Sequence, residues 1–314
     1  MQGAARLQAR LWQRSPLRAV VRANRPRRRA RASESGRRAR FAALALMRAM
    51  PAAGATGKAT DGARLWPCPR LDAWPYPLWI AHRGAGRLAP ENTLAAFRLG
   101  HAYGYRMFEC DVRLSADGLP FLLHDDDLER TTSGHGPAVA LEWSALAQLD
   151  AGSWHSARYF AEPLASLSEV VRFCHEADCA LNVELKSAPG TEHDTGCVVA
   201  ETLVREWRGA LPPLLSSFSS AALEGARTAA AWLPRALLVE QVDAGCVQAA
   251  LALGCVAMVV EHGQIEPQLA ATVSAAGLVL LSYTVNDELE VQRLLGLGVQ
   301  GLITDRVDGF KPGP

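Results

Sequence analysis

Apolar positions fall into short runs separated by amphipathic stretches, and this alternation begins near residue 78. The runs are Leu78–Ala81, Met107–Val112, Ala180–Leu185, Leu214–Phe218, Ala236–Val239, Val256–Val260, Val279–Val285 and Gly301–Thr304. Short, largely apolar runs rich in leucine and β-branched residues predict strands buried on both faces. Helical spacing fills the intervals at Asn92–Gly104, Gly196–Trp207, Ser220–Ala231, Val242–Leu253, Pro267–Ala276 and Asp287–Leu297, the first with Asn92 or Thr93 as cap and Gly104 as stop. Strand alternating with helix eight times predicts an α/β protein, a TIM (β/α)8 barrel. One stretch departs from the rule. Ser115-Ala116-Asp117-Gly118 is a turn signal and Pro120–His124 a second extended run, so residues 112–124 are predicted to form a hairpin. Residues 126–163, with Trp143, Trp154, Tyr159 and Phe160, hold no clear strand and helix pair; they read as an insertion over the C-terminal mouth of the barrel.

Charge divides the chain into unequal parts. Residues 1–50 carry 14 arginines against the single acid Glu34; removing these from totals of 33 basic and 32 acidic residues leaves 19 and 31, a balance of −12. An acidic folded part argues against a nucleic-acid-binding main domain. The expected organisation is an arginine-rich, disordered extension over 1–50, a linker over 51–77, the catalytic barrel over 78–308 and a tail over 309–314. A disordered extension, from an over-long gene model with Met47 or Met50 as the true start, is preferred to a transit peptide, although both fit the composition. No run of about 20 apolar residues is present, so no membrane span is expected. Seven scattered cysteines without a CxxC pair predict free thiols in a reducing, cytoplasmic setting.

Candidate chemistry gathers at the ends of the apolar runs. His82-Arg83-Gly84 closes the first, placing a proton-exchanging imidazole beside a fixed cation. Glu109 and Asp111 stand two apart on one strand and share a face, and Glu184 and Lys186 repeat the arrangement on another. Three buried carboxylates repel one another, and a divalent cation relieves that repulsion; oxygen ligands select Mg²⁺ or Ca²⁺. Ordinary ion pairs at the barrel rim are the alternative for any single motif. The hairpin should return His124-Asp125 to the neighbourhood of Glu109 and Asp111. His82 and His124 could then flank a phosphorus centre as base and acid.

HRG…PENT (His82 to Thr93), ExD (Glu109, Asp111), HD (His124, Asp125), ExK (Glu184, Lys186), Ser217-Phe218, Thr284-Val285-Asn286 and the closing Gly298 to Asp305 occur in order. Together this set resembles the glycerophosphodiester phosphodiesterase family, in its bacterial cytosolic branch, over about residues 78–308. The resemblance implies a TIM barrel that hydrolyses small glycerophosphodiesters, such as glycerophosphocholine or glycerophosphoethanolamine, to sn-glycerol 3-phosphate and an alcohol. It further implies one divalent metal, Mg²⁺ or Ca²⁺, on Glu109, Asp111 and Glu184; acid/base roles for His82 and His124; and phosphate binding by Arg83 and Lys186. Tyr283, where the family often has tryptophan, and Asn286 complete the expected substrate contacts. The alternatives are a lysophospholipase D or other phosphodiesterase on the same barrel, and a barrel that binds phosphodiesters without cleaving them.

Overall fold

The computed structural model describes residues 74–312, so the expectations for residues 1–50, and Cys68, lie outside the described residues. The order is β1 (Trp79–Ala81), α1 (Leu94–Ala102), β2 (Met107–Leu114), β3 (Pro120–Leu122), α2 (Trp143–Leu146), α3 (Leu167–Ala177), β4 (Ala180–Leu185), α4 (Glu192–Glu206), β5 (Leu214–Ser217) and α5 (Ser220–Ala229). It continues with β6 (Arg235–Val239), α6 (Cys246–Ala252), β7 (Ala257–Glu261), α7 (Pro267–Ala275), β8 (Val279–Tyr283), α8 (Glu288–Gly296) and β9 (Gly301–Thr304). All strands but β3 pair in parallel; β1 joins both β2 and β9, so the sheet closes into the predicted eight-stranded barrel. β3 runs antiparallel to β2, with Val112 opposite Leu122, as a hairpin outside the ring.

Side-chain alternation separates two cores, as the strand pleat requires. Ile80, Met107, Ala180, Leu214, Ala236, Leu238, Val259, Val279, Leu281 and Ile303 pack inside the barrel. Leu237, Val239, Met258, Val260, Leu280 and Leu302 belong to the layer between sheet and helices. Tyr76 joins the inner cluster with Trp74 beside it, and its hydroxyl donates to the Pro212 carbonyl at 2.8 Å. Trp74 and Tyr76 therefore pack at the N-terminal end of the barrel.

Several elements differ from the sequence expectation. α3 was not foreseen, yet its signals are present: Ser166 and Glu169 form a reciprocal capping box, and Leu167, Val170, Val171 and Cys174 make its buried face. Among the described residues no helix follows β9; Phe310 instead stacks on Trp79 with ring centroids 4.7 Å apart. α6 starts at Cys246 rather than Val242, because Asp243 accepts from the Gly245 N–H and forms a turn there. The insertion builds a small core of its own from Leu128, Ala138, Leu146, Ala151 and Leu164 against Phe121 and Leu123 of the hairpin arm.

Candidate active site

β2 and β4 lie side by side with Glu109 opposite Asn182 and Asp111 opposite Glu184. Even spacing turns the acids to one face. Oxygens of Glu109, Asp111 and Glu184 lie within 4.8 Å of one another, and all three side chains are buried. Burial, reinforced by Asp111 and Glu184, pushes the Glu109 carboxyl well above the usual range. Burial and then Asp111 push Glu184 up to about 7. Asp111 goes the other way: burial opposes its charge, but Arg83 and Lys186 outweigh that and hold it at about 2. Oε1 of Glu109 has no hydrogen-bond partner among the described residues. Three oxygen donors, one of them orphaned, fit a hard divalent cation.

β1 ends at Ala81, and the His82 N–H donates to the Thr304 carbonyl of β9 at 3.0 Å. Arg83 follows with φ 51°, a left-handed conformation uncommon for a residue with a side chain. That turn aims its backbone N–H at Glu109 Oε2 (3.1 Å) while its guanidinium reaches Glu91 (2.7 Å) and Asp111 (3.3 Å). The imidazole of His82 is held through Nδ1 by Asp305 Oδ1 at 2.7 Å, and Nε2 stands 3.8 Å from Glu109 Oε2. Asp305 stays below the ordinary carboxylate range: burial resists its charge, but hydrogen bonds from His82 and Asn286 prevail.

His124 arrives on the return arm of the hairpin, where the Leu123 N–H donates to the Asp111 carbonyl at 3.1 Å. Its Nδ1 is held by Asp125 Oδ1 at 2.7 Å, and burial pushes the imidazole below its usual pKa. Nε2 is thus the free nitrogen, as in His82. Lys186 Nζ lies 2.6 Å from Glu184 Oε1 and 3.5 Å from Asp111 Oδ1, and 5.7 Å from the centre of the Phe218 ring.

His82, Arg83, Glu109, His124, Glu184, Lys186 and Tyr283 line one cavity of about 390 Å³, with Phe218, Leu238 and Glu240 among its other walls. Asp111 sits behind them. Asn286, expected at the substrate, does not line the cavity. Its Nδ2 donates to Asp305 Oδ2 (3.0 Å), and its Oδ1 accepts from the Asp305 N–H (2.8 Å) and the Thr304 hydroxyl (3.1 Å), so its amide is bonded to Asp305 on both sides. Sequence reasoning also left roles unassigned. Asn92 donates to Asp111 Oδ2 at 2.8 Å and accepts from the Asp111 N–H, and Asp305, just past the end of β9, supports His82 from 223 residues away. The PENT and closing motifs contain both residues, but spacing alone cannot pair side chains that distant.

The sequence and the fold have counterparts among known proteins. The model of the glycerophosphoryl diester phosphodiesterase family matches residues 82–309. This chain belongs to that family. A glycerophosphodiester phosphodiesterase of Caldanaerobacter subterraneus is 30% identical over 235 residues, covering 73% of this chain and 93% of the relative. One from Bacillus subtilis is 29% identical over 250 residues, covering 74% and 85%. Among solved structures, an Oleispira antarctica phosphodiesterase in complex with the product sn-glycerol-3-phosphate superposes with a TM-score of 0.71 at 35% identity, covering 73% of this chain and 93% of that one. Family membership makes the chain an enzyme and accounts for the barrel.

Proposed function

We propose that this enzyme hydrolyses small glycerophosphodiesters to sn-glycerol 3-phosphate and an alcohol, with a divalent cation on Glu109, Asp111 and Glu184. The observation that carries the reading is the meeting, in one cavity, of a buried three-carboxylate cluster and two histidines whose Nδ1 atoms are each held by an aspartate. A bound Mg²⁺ or Ca²⁺ supplies Lewis-acid polarisation of a non-bridging phosphate oxygen. Arg83 and Lys186 add fixed positive charge to the same anion and stabilise the charge that builds in the transition state. Nε2 of His82 takes the proton of the glycerol 2-hydroxyl as its oxygen bonds to phosphorus. His124 gives its proton to the alcohol oxygen as the P–O bond to it breaks. Water then opens the resulting cyclic phosphate with the two histidines in exchanged roles, so that one water is consumed in all.

Release of sn-glycerol 3-phosphate from glycerophosphocholine, abolished by a chelator and restored by Mg²⁺ or Ca²⁺, is the expected result. His82→Ala and His124→Ala should each lower kcat about 10²- to 10⁴-fold without change in the thermal midpoint. Undiminished turnover in either variant overturns the acid/base roles. An analogue lacking the 2-hydroxyl should not turn over; normal turnover would replace internal attack by direct attack of water.

A further inference from the structure

The insertion sends one side chain back to the mouth. Arg130 Nε and Nη2 bond the two oxygens of Asp125 at 2.5 and 3.0 Å, while Nη1 and Nη2 bond the two oxygens of Glu91, each at 2.8 Å. Each of these acids holds a residue of the site: Asp125 holds Nδ1 of His124 at 2.7 Å, and Glu91 accepts from Arg83 Nη1 at 2.7 Å. Arg130 does not line the cavity and contacts none of the three clustered carboxylates. Its backbone is fixed by a turn in which the Thr132 N–H and hydroxyl both bond the Leu128 carbonyl, with Leu128 in the small core of the insertion.

We propose that Arg130 is a positioning residue, a brace that locks the His124–Asp125 pair and the Arg83–Glu91 pair into one geometry. The proposal rests on the roles given above to His124 and Arg83. Two carboxylates converging on one point repel each other, and each would then turn away from the group it holds. A planar guanidinium presents donors on two edges and can take both acids in forked contact; a lysine ammonium is a point charge and cannot. Since Arg130 is half-exposed, its ion pairs add little to folding stability. Its effect is geometric. The insertion thereby acquires a purpose: its core holds the turn that holds the brace.

The test uses the full chain with glycerophosphocholine and Mg²⁺. Arg130→Ala should lower kcat about 10- to 100-fold, the range for residues that orient reactive groups from behind, with KM changed less than about threefold and Mg²⁺ affinity preserved. Arg130→Lys should recover little of the loss, and millimolar guanidinium should restore part of it in Arg130→Ala. Asp125→Asn combined with Arg130→Ala should be no worse than the more damaged single variant, since both break one linkage. Imidazole ¹⁵N spectra give a readout independent of turnover: neutral His124 should carry its proton on Nδ1 in the parent and shift toward the Nε2 form in Arg130→Ala. A kcat within twofold of the parent in Arg130→Ala, full recovery by lysine, or an unchanged His124 tautomer overturns the brace. Failure of the parent to cleave any glycerophosphodiester would instead overturn the function, and the spectra would still decide the brace.

Discussion

Each histidine at the mouth owes its free Nε2 to an acid that occupies Nδ1, and the two acids are held in different ways. Asp305 is fixed by Asn286, Asp125 by Arg130. Asp305→Asn should therefore lower kcat about 10- to 100-fold, because the amide can leave the ring in the wrong tautomer, while Mg²⁺ affinity stays the same. Steady-state kinetics beside metal titration checks this, and a parallel loss of metal binding would sink it. The carboxylate cluster makes a second prediction. In the metal-free protein Glu184 holds a proton up to about pH 7, and Glu109 is also shifted upward, so a cation must displace protons to bind. Apparent Mg²⁺ affinity should then rise as pH is raised toward about 7, and calorimetry at pH 6 should give heats that depend on the ionisation enthalpy of the buffer. Equal heats in two such buffers refute proton release. His82, Glu109, Asp111 and Glu184 were legible because polar residues at the end of an apolar strand are conspicuous. Asp305 and Arg130 were not, since what matters in them is a partner, and the partner is remote in sequence.

Periodicity read the elements well where a single rule operated. All eight barrel strands appeared as short apolar runs, and the hairpin followed from its turn, because strand burial and turn chemistry are local properties. Edges were less legible. α4 begins at Glu192, four residues before the predicted Gly196, since its first turn is polar and presents no apolar stripe. Glycine in these helices serves contact rather than flexibility. A Cβ on Gly196 of α4 would lie 1.9 Å from the Ala222 carbonyl oxygen of α5, and one on Gly225 of α5 would lie 2.0 Å from the His193 carbonyl oxygen of α4. The two helices cross backbone to backbone. Gly225→Ala should cost about 1–3 kcal/mol through overpacking, more than the helix propensity it gains. Gly296→Ala, with nothing within 4 Å of the added carbon, should be neutral or stabilise by up to about 1 kcal/mol. Urea unfolding of both variants decides the point; equal midpoints would mean that the crossing relaxes freely.

At the scale of the molecule, a cation held on the proposed carboxylate cluster would be linked to folding. An ion that binds only the folded cluster adds about 2.7 kcal/mol at a hundred times its Kd, or roughly 5–10 °C for a domain of this size. Mg²⁺ or Ca²⁺ should produce that rise in the thermal midpoint of the parent protein, and Glu184→Gln should reduce it; no rise in the parent at saturating ion would speak against the site. No helix among the described residues is long and apolar enough to cross a membrane. The barrel as a class was legible from composition and alternation together. Its closure was expected with that class, and the pairing of β1 with β9, strands more than 200 residues apart, bears it out.

That closure has a topological consequence. Leu302 N–H bonds the Leu78 carbonyl at 2.8 Å and Phe310 stacks on Trp79, so the two ends of the barrel segment meet. A ring whose ends touch has no obligatory starting point. Circular permutation that joins those ends by a short linker and opens the chain in the exposed turn at Gly190 should preserve the strand ring, because no strand or helix is cut. Chain order in this barrel is one reading direction around a closed cycle.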